Sequence, residues 1–144
     1  HIDPKAMGAF DAYRDAFEAH FNQADLEAAR QHVARARALQ PGQSVYAFVA
    51  GLLELCARDA TSALLCFDDA VRVGHPDAAR VASYHLWRGR SLDVLGRRDE
   101  ATREYREAKS GDPSVRRAAE KNERKAYKLR APAIEWNFGE VISP

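Results

Sequence analysis

Residues 82–113 read ASYHLWRGRSLDVLGRRDEATREYREAKSGDP, and the spacing inside this stretch decides the fold. Gly89 is followed by Ala101, Tyr105, Ala108 and Pro113. This alternation of small and large residues suits two short helices packed against each other. The series recurs upstream as Gly51, Ala63, Phe67, Ala70 and Pro76, and again as Phe17, Ala29, Val33, Ala36 and Pro41. Ala29 and Ala63 stand 34 residues apart and Ala63 and Ala101 stand 38 apart, the period of a helical repeat array. One such helix pair cannot bury its apolar face alone, so stacking of neighbours supplies the core.

The rest of the chain fits this frame. Phe10, Tyr13, Phe17 and Phe21 form one stripe on a helix over residues 8–22, and residues 27–39 form its partner, stopped by Pro41 and Gly42. Ser44 can cap a helix running to about residue 57, and Asp59 can cap the next, which Gly74 ends. Pro76 suits the first turn of a fifth helix, Gly96 ends it, and residues 98–110 form the sixth. Asp112 and Pro113 then open a seventh helix over residues 114–130, with Val115, Ala119, Ala126 and Leu129 on one stripe and charged residues elsewhere, as a terminal cap requires. The expected boundaries are 9–43, 44–76 and 77–113 for three repeats, 114–130 for the capping helix and 131–144 for an extended tail. HIDPKAM reads as a vector-derived leader, so residues 1–8 are set aside, which leaves room for natural sequence upstream of Gly8.

These residues resemble the tetratricopeptide repeat family, whose pattern is W-x2-L-G-x2-Y, then A-x3-F, then P. The third copy matches at Gly89, Ala101, Tyr105 and Pro113, with Leu92 where Tyr is usual. The second matches at Gly51, Ala63, Phe67 and, one residue late, Pro76. The first matches at Ala29 and Pro41, with Val33 for the aromatic and Phe17 for the glycine. Tyr13, Ala47 and His85 fill the tryptophan position. The resemblance covers residues 10–113. It implies an all-α fold of three helix–turn–helix repeats in a right-handed superhelix, followed by the capping helix and the tail.

The resemblance also implies a place for binding, because the first helix of each pair lines a concave groove. Its inward positions are Arg14, Glu18 and Phe21 in the first copy, Val45, Phe48, Val49 and Leu52 in the second, and Leu86, Trp87 and Arg90 in the third. Such a groove is polar at its mouth and apolar in its middle, and two readings of the middle stay open. Facing water, these side chains are a binding patch; covered by the tail or the seventh helix, they are core. Some tetratricopeptide domains hold the C-terminal carboxylate of heat-shock chaperones in a clamp of Lys, Asn and Arg. Here only Arg14 is basic among the clamp positions, with Glu18, Val49, Ser83 and Trp87 in the others, so apolar anchors of a peptide or amphipathic helix fit better.

Other chemistries find little support. The chain has 144 residues, 30% of them charged, and a net charge of +1, which does not call for nucleic acid or a membrane surface. No run reaches the ~18 apolar residues of a membrane span. The basic helix, with Arg116, Arg117, Lys121, Arg124, Lys125, Lys128 and Arg130, lacks interleaved aromatics for base stacking, so it reads as a solvated cap supported by pairs such as Glu120–Arg124. His20, His32, His75 and His85 show no metal spacing, and Cys56 and Cys66 are too few for a disulfide framework; both read as small buried hydrophobes in a reduced, cytoplasmic setting. No phosphate loop, nucleophile elbow or zinc-protease motif is present, so no cofactor, metal or catalytic residue is expected and the chain is read as a non-enzyme.

The tail alternates Ile134, Trp136 and Phe138 with Glu135 and Asn137, a period of two that reads as extended. Docking on its own molecule is the expectation; a groove in a second copy would give self-association. The resulting reading is a protein–protein interaction module. The alternatives are a small chaperone, similar to those that serve type III secretion translocators, and the regulatory part of a larger protein.

Overall fold

The computed structural model describes residues 3–130, all of whose regular structure is helical. In order, the elements are α1 (Pro4–Phe17), a π-helical turn (Glu18–Asn22), α2 (Leu26–Leu39), α3 (Ser44–Cys56), α4 (Ala60–Val73), α5 (Ala78–Val94), α6 (Arg98–Ala108) and α7 (Pro113–Arg124). Helices α1 and α2, α3 and α4, and α5 and α6 pack as successive pairs, and α7 closes the stack against α6 and α5. The tail motif Ile134, Trp136 and Phe138 lies outside the described residues.

Boundaries differ from expectation at four helices: Ser44 begins α3 instead of capping it, Asp77 caps α5 so that Pro76 precedes that helix, and the other two differences lie in α1 and α7. Helix α1 starts at Pro4, inside the stretch set aside as a leader, because Asp3 caps it by accepting from the Lys5 amide at 3.0 Å and Pro4 suits the first turn. Helix α7 ends at Arg124 instead of running to residue 130, and Lys125 is already extended, with φ −135° and ψ 120°. The cause lies in neighbouring helices. In a continuing helix the Tyr127 amide would donate to the Glu123 carbonyl. Instead the Arg98 guanidinium donates to that carbonyl at 2.7 Å, and the Tyr127 amide donates to the Asp93 carboxylate at 2.9 Å. An ion pair between Arg98 and Asp93 thus takes the place of one helical hydrogen bond.

The expected small–large complementarity is present in atomic detail. A Cβ on Gly51 would stand 2.5 Å from the Phe67 ring, and one on Gly89 would stand 2.7 Å from the Tyr105 ring. Phe67 and Tyr105 are fully buried, as are Ala63 and Ala101. The first pair inverts the arrangement: Phe17 holds the glycine place, the aromatic place holds Val33, and the π-helical turn follows directly. Helix α3 is the central element, buried on nearly its whole circumference, as a helix apolar all round must be. Aromatic contacts run through it, with Tyr46 beside Tyr13 at 5.0 Å and Phe48 between Phe67 at 5.7 Å and Tyr84 at 4.9 Å.

The turn inside each pair repeats a backbone feature. Ala24, Arg58 and Gly96 all have positive φ, at 50°, 65° and 76°. Asp25 and Asp59 follow two of these turns and cap α2 and α4 by accepting from the Ala28 and Ser62 amides. Only the third turn uses the residue that takes this conformation without strain.

Two outcomes follow for stability. Gly89→Leu should overpack the contact with Tyr105 and lower stability by ~1–3 kcal/mol or more, read from a chemical denaturation curve; an unchanged midpoint would refute the close approach. Arg58→Gly should raise stability by up to ~1 kcal/mol, since the left-handed strain removed exceeds the added freedom of the unfolded chain.

Candidate partner-binding groove

The first helices of the three pairs carry the expected site residues, and the structure divides them into three environments. Arg14, Glu18 and Phe21 are exposed at one end. Arg14 pairs with Asp11 at 3.3 Å, Glu18 accepts from Asn22, and Phe21 is 40% exposed and stacked on Phe17 at 5.8 Å. With Asp15 and Asn22 they line an open cleft of about 410 Å³. Glu18 and Asp15 make this end acidic, and Phe21 gives it an apolar floor.

Val45, Phe48, Val49, Leu52 and Leu86 are buried, so they are not a water-facing patch. For Phe48 the reason is plain: its ring packs between Phe67 and Tyr84, between successive helix pairs. Of the two readings left open for the middle of the groove, these side chains follow the core one.

Trp87 and Arg90 form the third environment, together with residues that sequence reading did not single out. Trp87 is only 5% exposed. The Arg90 guanidinium lies 4.6 Å from the Trp87 ring centroid and 4.8 Å from that of Tyr127, and Tyr127 meets Trp87 edge-on at 6.2 Å. Arg90 also donates to the Asn122 side-chain oxygen at 2.9 Å. One turn along α5, the Asp93 side chain is 1% exposed and receives four donor contacts: Arg98 on both oxygens, the Tyr105 hydroxyl at 2.5 Å and the Tyr127 amide. Residues 125–130 are therefore a non-helical strap, pinned to α5 at Tyr127. Burial raises the Tyr127 phenol above its ordinary range, opposed by the positive charges of Arg90 and Arg58. Beside the strap opens a cleft of about 400 Å³ lined by Arg90, Lys121, Lys125, Lys128 and Arg130.

Solved structures similar to this chain include the following three. The N-terminal domain of stress-induced protein-1 from C. elegans superposes with a TM-score of 0.73 at 17% identity, covering 83% of this chain and 98% of that one. The Arabidopsis OM64 TPR domain gives 0.72 at 19% identity, covering 84% and 98%. MamA gives 0.62 at 18% identity, covering 88% of this chain and 62% of that one. The chain has a tetratricopeptide-repeat fold. At these identities the likeness is one of fold. No protein-family model matches the sequence, and no curated protein matches it.

Within this tetratricopeptide fold the remaining polar candidates are structural. His85 contacts the buried Glu104 carboxylate at 2.6 Å and Arg88 binds the same carboxylate, so both tie α5 to α6. On α7 the expected Glu120–Arg124 pair is absent: Glu120 pairs with Arg116, and Glu123 reaches Arg106 and Lys109 on α6. Both cysteines are free thiols and only partly buried, a correction to the expected burial. Burial raises the Cys66 thiol above its ordinary value, with Arg37 nearby opposing the shift. Among the described residues no group of His, Cys, Asp and Glu could hold a metal.

The Asp93 cluster generates a stability outcome. Asp93→Ala removes the acceptor of an ion pair, a phenol and an amide at once, and should cost about 3 kcal/mol, the lower end for a buried pair because Arg98 is one-third exposed. Asp93→Asn keeps an acceptor oxygen and should cost less. Urea denaturation of the two variants checks the order. Cys66, mostly protonated at neutral pH, should react with iodoacetamide more slowly than free cysteine, and its rate should keep rising above the pH at which free cysteine levels off.

Proposed function

We propose that this chain is a protein–protein interaction module that holds a peptide or amphipathic helix of another protein on the face formed by α1, α3 and α5, through apolar anchors. The observation that carries the reading is that this face already holds an extended segment, the chain's own strap. Tyr127 inserts beside Trp87 and Arg90 while its main chain is fixed by Asp93. An aromatic anchor plus a main-chain hydrogen bond is how extended peptides are recognised generally. The cleft around Phe17 and Phe21 supplies a second apolar anchor point. The tail motif Ile134, Trp136 and Phe138 belongs to the proposal as a further apolar segment that can engage such a face, in its own molecule or in a second copy.

No helix among the described residues is long and apolar enough to cross a membrane. The two free thiols fit a reducing compartment, which the proposal takes to be the cytoplasm.

Selection of a displayed random-peptide library against the chain tests the proposal. Sequences with large apolar or aromatic residues should be enriched. Phe21→Ala changes an exposed side chain and should leave folding nearly intact, yet weaken enriched peptides that use the open cleft by tenfold or more, ~1.4 kcal/mol. Absence of enrichment, or enriched peptides indifferent to changes at both Phe21 and Arg90, would refute groove binding.

A further inference from the structure

We infer that the pocket formed by Trp87, Arg90, Asp93 and Asn122 is a recognition site for an extended segment carrying an aromatic residue, and that residues 125–130 are an internal ligand which a partner segment of that chemistry displaces. The inference rests on the interaction-module reading and names the chemistry of its ligand.

The pocket offers one main-chain acceptor, the Asp93 carboxylate, and one slot for a ring, beside Trp87 and under the Arg90 guanidinium. An arginine face and an indole edge select an electron-rich aromatic over an aliphatic side chain. The Asn122 side chain adds a donor to the Lys125 carbonyl at 3.4 Å. Lys125, Lys128 and Arg130 are exposed, and no acid among the described residues pairs with them. Leu129 packs on the core only in part.

Two features make the strap displaceable. Asp93 keeps Arg98 and the Tyr105 hydroxyl when the Tyr127 amide leaves, so departure strands no buried charge. The released chain also has somewhere to go. Residues 125–130 read KAYKLR, good helix formers, and the Glu123 carbonyl stands one turn before the Tyr127 amide. Strap and helix extension are two states of one segment, and a ligand that occupies the pocket favours the second.

The probe is a labelled peptide of residues 125–130 with blocked ends, titrated by fluorescence anisotropy into the full chain and its Tyr127→Ala variant. The variant, with its own anchor removed, should bind at least tenfold more tightly than the parent. The same peptide with its tyrosine replaced by alanine should not bind, and adding Arg90→Ala to the variant should abolish the gain. Equal binding to parent and folded variant would overturn the inference. Hydrogen exchange on the unmodified chain gives a second reading that survives a failure of the variant to fold. The Tyr127 amide should exchange at least a hundredfold faster than the amides at the centre of α5, as a segment that opens locally does. Exchange of that amide only at the rate of global unfolding would overturn displacement while leaving the open end of the groove, and so the module reading, intact. Opening of the strap without peptide binding to any form would overturn the recognition site, while the module reading still stands or falls with the library selection.

Discussion

Each of the last two helix pairs depends on one close approach, a glycine backbone against an aromatic ring. Gly51 admits Phe67 and Gly89 admits Tyr105 at distances where a Cβ would collide. The rings then fill the space between successive helices, and Ala63 and Ala101 keep the partner helix close. Interiors packed at crystal density transmit such a constraint, since a ring that cannot seat forces its helix outward and the next pair with it. In the first pair the two corresponding positions hold Phe17 and Val33, large and small exchanged, and an irregular π turn follows Phe17. A terminal pair packs on one neighbour only, which leaves room for this departure.

Charged residues knit the pairs together around that apolar frame. Arg30 binds Glu54 with two hydrogen bonds, linking α2 to α3, and Arg37 reaches Asp69 on α4. Arg88 joins Asp68 of α4 to Glu104 of α6. Apart from the buried Glu104 carboxylate, these side chains are partly exposed, so those pairs contribute modestly to stability. Their value lies in direction: a bidentate guanidinium fixes the register of two helices more tightly than an apolar contact can.

Asp93, also buried, differs from these because four donor contacts converge on it, one of them a backbone amide. It makes α5, α6 and the chain beyond α7 a single polar unit at the end of an otherwise apolar stack. A buried carboxylate requires such partners, and here the requirement draws in a backbone amide from 34 residues away. The result is a strap whose side chains mostly face solvent while its main chain is anchored, a geometry suited to holding peptide.

The amino-acid order by itself determined the helices, their pairing and the close contacts, because spacing of small and large residues is read locally along each helix. Gly51, Ala63, Phe67 and their counterparts announce the packing before any coordinate is known. Gly74 and Gly96 likewise mark turns, whereas Ala24 and Arg58 take the same left-handed conformation with no sign in their identity. At the groove, position on the first helices was legible and environment was not. Phe48 on α3 and Trp87 and Arg90 on α5 all take inward positions in the repeat pattern, but their burial depends on what other parts of the chain lie over them. The end of α7 was decided only by tertiary structure. Residues 114–130 form one continuous amphipathic pattern, and nothing local stops the helix at Arg124. It stops because Arg98 and Asp93, distant in the chain, offer the Glu123 carbonyl and the Tyr127 amide better partners than each other: an ionised group makes a stronger hydrogen bond than a neutral amide does.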